Sequence, residues 1–280
     1  MFQPYLLILF MTPSMNEKKH HLNEMNKGTT LFFILGGFFI ANTLVAEFIG
    51  VKIFALEDTL GISRFNINLF GQEGALQFSA GVLLWPIVFL MTDIINEYFG
   101  KQGVRKLSIF TAGLIAYAFI IIFFAIQLSP ADWWITQNKA QGVENMQTSF
   151  KVIFGQGILM VFGSLTAFLV AQLVDVLLFH QIKKITGEKR IWLRSTGSTF
   201  VSQLFDSFVI LTIAFKWGPE ILGNVTPWTW NQILAVGTIQ YFYKISMAIF
   251  LTPVIYGSHR IIDGYLGKEE SSRMKENAAL

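Results

Sequence analysis

Residues Trp85–Lys106, WPIVFLMTDIINEYFGKQGVRK, carry two carboxylates inside an apolar run that ends at Gly100 and passes into Lys101, Arg105 and Lys106. Asp93 and Glu97 stand four residues apart, so on a helix they share one face, with Asn96 beside them. In water this would be the end of an amphipathic helix. The preceding residues, Leu76 to Met91, are too apolar for that. At ~1.5 Å per residue, Asp93 would lie about 10 Å inside the helix end. An acid at that depth in lipid is costly and usually faces a polar cavity or a partner.

The rest of the chain points the same way. Charged residues make up only 14% of it and hydrophobic ones 53%, where a soluble chain carries about 25% charged residues. A single soluble core could not bury all 28 Phe. The apolar segments are continuous rather than alternating, which argues for helices and against a barrel. The expected class is therefore an all-α integral membrane protein. With no Cys, the chain can have no disulfide framework, thiol nucleophile or Cys-based metal site. The net charge of +3 gives no reason to propose nucleic acid as a partner.

Six spans are expected: about Thr30–Phe54, Leu76–Tyr98, Leu107–Leu128, Val152–Ile182, Thr196–Trp217 and Trp230–Gly257. Of the 21 basic residues, 15 fall on the side that holds both ends of the chain and the 99–106 and 183–195 loops. Five fall on the other side, and Lys244 lies inside a span. By the positive-inside rule both termini are cytoplasmic. Trp133, Trp134, Trp217, Trp228 and Trp230 fall at the outer interface, as an aromatic belt would. Residues 1–29 read as an N-terminal cytoplasmic segment with Met15 as an alternative start, 30–257 as the membrane domain and 258–280 as a cytoplasmic tail. In the outer Glu57–Gly74 loop, Phe65, Ile67 and Leu69 alternate with Asn66 and Asn68, which predicts a short strand or hairpin.

Polar residues recur where lipid should be. Span four has Gln172 and Asp175, span five has Gln203 and Asp206, each pair at i and i+3, and span six has Lys244. Thr199, Ser202 and Asn42 read as glue between helices. Glu47, near the outer end of span one, reads as reaching water. Pro86 should kink span two by removing a bond to the Val82 carbonyl. Asp93, Asp175 and Asp206 set three acids against the one base Lys244, and that surplus favours a site for an ion, a proton or a donor-rich substrate. Lys244 should pair with Asp206, or failing that with Asp175, because depth counted from the cytoplasmic side matches. No histidine has metal-ligand spacing with an acid, and there is no G-x-S-x-G, H-E-x-x-H or phosphate loop, so no catalytic residue, metal or cofactor is expected.

The stretches FLMTDIINEYFGKQGVRK, AQLVDVLLFHQIKK, STFVSQLFDSFVILTIAF and YFYKISMAIFLTPVIYG occur in that order and spacing. Together they resemble the queuosine precursor transporter family, also called the vitamin uptake transporter family. The resemblance covers roughly residues 30–260. It implies six membrane helices and uptake of 7-cyano- or 7-aminomethyl-7-deazaguanine across the bacterial inner membrane. By that resemblance the positions that carry over are Asp93, Asp175, Asp206 and Lys244. The residues themselves add Glu97, Gln172 and Gln203 as candidate substrate contacts. A carboxylate can accept a ring N–H and an exocyclic amine together, and an amide can read a carbonyl edge. Trp85, Phe89 and Phe205 could supply apolar walls.

The expected function is therefore import of a purine-like precursor, with the lipid bilayer and a small nucleobase-like molecule as partners. Assembly as a homo-oligomer is left open by the sequence. The alternative within transport is a substrate-binding subunit of an ATPase-coupled importer. An intramembrane enzyme lacks its nucleophile and ligands, and a purely structural protein leaves the buried charges unexplained.

Overall fold

A computed structural model describes residues 26–74, 76–155, 158–186, 191–223 and 226–279. Met15, the basic run Lys18–His21, and Lys189 and Arg190 lie outside the described residues. Five helices are long and apolar enough to cross a membrane: Lys27–Ile49, Trp85–Gln127, Met160–Thr186, Trp192–Ile221 and Trp230–Leu266. The chain is thus an all-α membrane protein. We label the helices α1 (Lys27–Ile49), α2 (Leu56–Leu60), α3 (Trp85–Gln127), α4 (Asp132–Thr136), α5 (Met146–Phe154), α6 (Ile158–Thr186), α7 (Ile191–Leu211), α8 (Gly218–Leu222), α9 (Trp230–Leu266) and α10 (Lys268–Ala279).

The expected second and third spans are both carried by α3, which is broken at Gly100 (φ 67°, ψ −179°). That backbone region is essentially restricted to glycine. Contacts along α1 trace what the break does. Gly81, just before α3, approaches the Ala46 carbonyl, and Phe99 meets Phe32 with ring centroids 4.9 Å apart. Beyond the break Leu107 packs beside Gly36, and Phe119 lies 6.0 Å from Phe48. The chain therefore runs along α1 in one direction and comes back along it in the other.

Pro86 does not kink a span. A 3-10 turn covers Ala80–Leu83 and α3 starts afresh at Trp85, so Pro86 sits in the first turn, where no backbone N–H is needed. The fourth span also differs from expectation. A separate helix, α5, ends at Phe154, and α6 begins at Ile158. The fifth ends in a π-helical turn at Thr212–Trp217, and the sixth runs on past Gly257 to Leu266.

The loop between α1 and α3 forms two small antiparallel pairs. Strands β1 (Ile53–Ala55) and β4 (Gln77–Ser79) close its base, and β2 (Ile67–Leu69) and β3 (Gln72–Gly74) make the expected hairpin. Its turn, Phe70–Gly71, has positive φ at both residues, the geometry that suits a two-residue hairpin. Inside the loop, both Glu57 carboxylate oxygens accept the Leu76 N–H, at 2.9 and 3.0 Å.

The core lies where α1, α3, α6 and α9 meet, around Phe39, Val88, Ile94, Ile95 and Phe168. Phe110, Tyr117, Ile120, Phe123 and Phe124 point outward from the second half of α3, the pattern of a lipid-facing surface. At the opposite end from the strands, α10 lies across the break in α3. A Cβ on Gly100 would come within 3.0 Å of the Ala278 carbonyl. Asp263 holds α10 there, accepting from Lys275 Nζ (2.8 Å), Ser271 Oγ (2.5 Å) and Tyr98 Oη (2.7 Å).

Candidate functional site

Asp93 lies on the first half of α3, buried where α6, α7 and α9 converge. Ser195 Oγ, from the first turns of α7, donates to Asp93 Oδ2. Asp93 Oδ1 has no hydrogen-bond partner among the described residues. On α6, Asp175 Oδ1 accepts from Ser202 Oγ at 3.0 Å, and Oδ2 is again without a partner there. Three residues earlier, Gln172 Oε1 accepts from Thr92 Oγ1 at 3.0 Å while its amide nitrogen finds no acceptor. The Gln203 amide nitrogen is in the same position. In a low-dielectric interior such unmet groups are expensive, and each calls for a partner such as a water or a ligand.

A cavity joins several of them. Its walls include Asp93, Ser195, Thr199, Gln203 and Lys244, with Phe89 and Leu251 on the apolar side. Its volume is about 20 Å³, room for about one water and not for a ring-sized ligand. A larger occupant needs the helices to part. Among the described residues no group of His, Cys, Asp and Glu is placed to hold a metal ion.

Not every sequence candidate reaches this cavity. Glu97, one turn beyond Asp93, belongs to an ion cluster: Arg194 Nη2 lies 2.5 Å from Oε1 and Lys183 Nζ 3.4 Å from Oε2. Asp206 pairs with Lys244 at 2.5 Å, as matched depth predicts, and Lys244 also donates to Ser207 Oγ at 3.2 Å. Gln172 and Asp175 stand behind Asp93 rather than on the wall. Of the three proposed aromatic walls only Phe89 lines the cavity. Trp85 packs on Phe168 at 5.7 Å, and Phe205 is turned to the outside of the bundle. Glu47 does not reach water either: it is buried and accepts from Ser164 Oγ.

The family described as "Putative vitamin uptake transporter" matches residues 79–257. The chain belongs to this family. The match takes in every candidate from Asp93 to Lys244 and leaves out Glu47. A "Probable queuosine precursor transporter" of Bacillus subtilis is 28% identical over 197 residues, 70% of this chain and 76% of that one. A protein of the same name from Haemophilus influenzae is 26% identical over 180 residues, 63% of this chain and 66% of its own. The "Queuosine precursor transporter" of Escherichia coli is 23% identical over 63% of this chain and 70% of its own. No solved structure matches the chain. Family and relatives are transporters, not enzymes.

The residues that hold the buried acids in place were not legible in the sequence. Arg194 and Lys183 count as loop charges in the topology argument, yet both are buried against Glu97. Ser195, Ser198, Thr199 and Ser202 recur every three or four residues along α7 in RSTGSTFVSQ, all of them buried. That spacing is the signal which could have marked a hydroxyl-lined face.

Proposed function

We propose that the chain imports queuosine precursors, 7-cyano- or 7-aminomethyl-7-deazaguanine, across a bacterial inner membrane. The observation that carries this reading is the pair of unmet groups on one cavity wall, an acceptor at Asp93 Oδ1 and a donor at Gln203 Nε2. A guanine-type edge presents donors and a carbonyl side by side, the complement of such a pair. The names of the relatives agree with this substrate class. In this reading the two halves of α3 are separate crossings. The bundle then has six, within one membrane domain over 30–257, and the flanking segments 1–29 and 258–280 are cytoplasmic.

Asp93→Asn turns the acceptor into a donor facing donors, an unsatisfied buried group worth ~1–3 kcal/mol. Binding of the base to purified protein should weaken about 5- to 150-fold. Gln203→Leu should weaken it by a similar factor. Uptake of radiolabelled base into cells that cannot make it should fall with both variants. Normal binding in both would move the pocket elsewhere. A co-purifying ATPase would favour the ATPase-coupled importer instead.

A further inference from the structure

Among the described residues, Glu47, Asp93, Glu97, Asp175 and Asp206 are buried in the bundle against the basic groups Lys183, Arg194 and Lys244. Arg194 and Lys183 pair with Glu97, and Lys244 pairs with Asp206. Asp93 and Asp175 receive hydroxyls, from Ser195 and Ser202, and the Ser198 and Thr199 hydroxyls also lie close to Asp175. Each keeps one oxygen without a donor, Asp93 Oδ1 and Asp175 Oδ2, and the two carboxyls lie within hydrogen-bonding reach of each other. Both side chains are more than nine-tenths buried. Two ionised carboxylates in contact repel, and in a dry interior that repulsion is barely screened. A single proton between them turns the contact into a hydrogen bond and satisfies both oxygens at once.

We propose that Asp93 and Asp175 form a proton-binding site in the middle of the bundle, holding one shared proton when the transporter is empty, and that a substrate bearing a primary ammonium displaces that proton one for one. The ammonium in question is that of the 7-aminomethyl base, so this part rests on the function proposed above. The O–H bond breaks, the proton leaves to water on the side to which the site is open, and the ammonium takes its place. Buried charge is then unchanged by binding. The neutral 7-cyano base brings no charge, leaves the proton on Asp175 and offers its N–H edge to the second lone pair of Asp93 Oδ1. The other charged groups facing the pair are Glu97 from α3 and Arg194 from α7, with Lys244 of α9 across the cavity. Glu97 and Arg194 are paired with each other and Lys244 with Asp206, so beside this cavity the dyad is the element that can exchange a proton.

The test is calorimetric titration of purified protein with each base, in buffers of different ionisation enthalpy at one pH. For the aminomethyl base the heat should vary with buffer in proportion to one proton released, and affinity should rise roughly tenfold per pH unit where the dyad is protonated. The cyano base should show neither effect, and Asp175→Asn should abolish both for the aminomethyl base. Buffer-independent heat for a bound aminomethyl base in the unaltered protein overturns the exchange. Failure of both bases to bind would sink the substrate reading instead. The proton site is then decided on the empty protein by infrared difference spectra. A carboxylic-acid C=O band at neutral pH that is lost in both Asp93→Asn and Asp175→Asn supports the shared proton, and its absence from the unaltered protein rules it out.

Discussion

Lys244 shows how one side chain can be read at a distance. Counting turns from the neighbouring ends of two spans brings it level with Asp206, and the two meet at 2.5 Å. A lone Lys at mid-membrane costs at least ~2.5–3.5 kcal/mol on insertion scales, and a paired one largely escapes that penalty. Removing one partner should therefore harm the protein more than removing both. Lys244→Met and Asp206→Asn are each expected to lower the yield of folded protein in detergent. The double variant should recover yield, and additive losses would mean that the pair contributes nothing. Arg194 was not legible in the same way. Its position at the start of a span says loop, and only the folded bundle shows its long side chain carrying the charge to Glu97. Depth along a helix can be counted from sequence, whereas the direction of a flexible side chain cannot.

The element that most shapes the bundle is α3, and its break was legible as the point where an apolar run stops at a glycine before basic residues. What could not be read was the second demand on Gly100, the backbone of α10 pressed against it. A β-carbon there meets both a glycine-only conformation, worth ~1–3 kcal/mol, and the Ala278 carbonyl. Gly100→Ala should lower the thermal unfolding temperature in detergent. Gly113→Ala, in the second half of the same helix with open space around it, should leave it unchanged or slightly raised. Equal effects would show that the break carries no special constraint. The hairpin was legible from alternation, but Glu57, which braces the loop around it, was not, because its partner is a backbone N–H 19 residues away. Burial works against the Glu57 charge and is the largest single influence, yet the backbone N–H groups of Leu76, Glu57 and Phe65 together outweigh it and hold the carboxyl below its usual value. The bracing is thus complete above the ordinary glutamate range and is lost as pH falls through the lowered one. Protease cleavage within residues 53–79 should rise in that acidic window, and Glu57→Gln should be cut at neutral pH as well.

Across the whole molecule, the charge asymmetry of the sequence implies one orientation in the membrane. Lys139, exposed near the α4 end, and Lys184, exposed at the end of α6, should lie on opposite sides. Since the chain has no Cys, a single cysteine at either position reports its own side. An impermeant thiol reagent should label Lys139→Cys in intact cells and Lys184→Cys only after permeabilisation; the reverse pattern would invert the orientation. Of the tryptophans expected at the outer interface, Trp133, Trp217 and Trp230 are exposed and Trp228 is stacked on Phe215 at 4.3 Å. The docking of α10 over Gly100 also has a consequence for how the protein is made. Synthesis proceeds from the N-terminus, and α10 follows the five long helices in the chain, so it leaves the ribosome after them. Both halves of α3 are therefore synthesised before their junction is covered. During that interval the hinge can still adjust its angle while later helices find their places, and the arrival of α10 acts as the closing step of assembly.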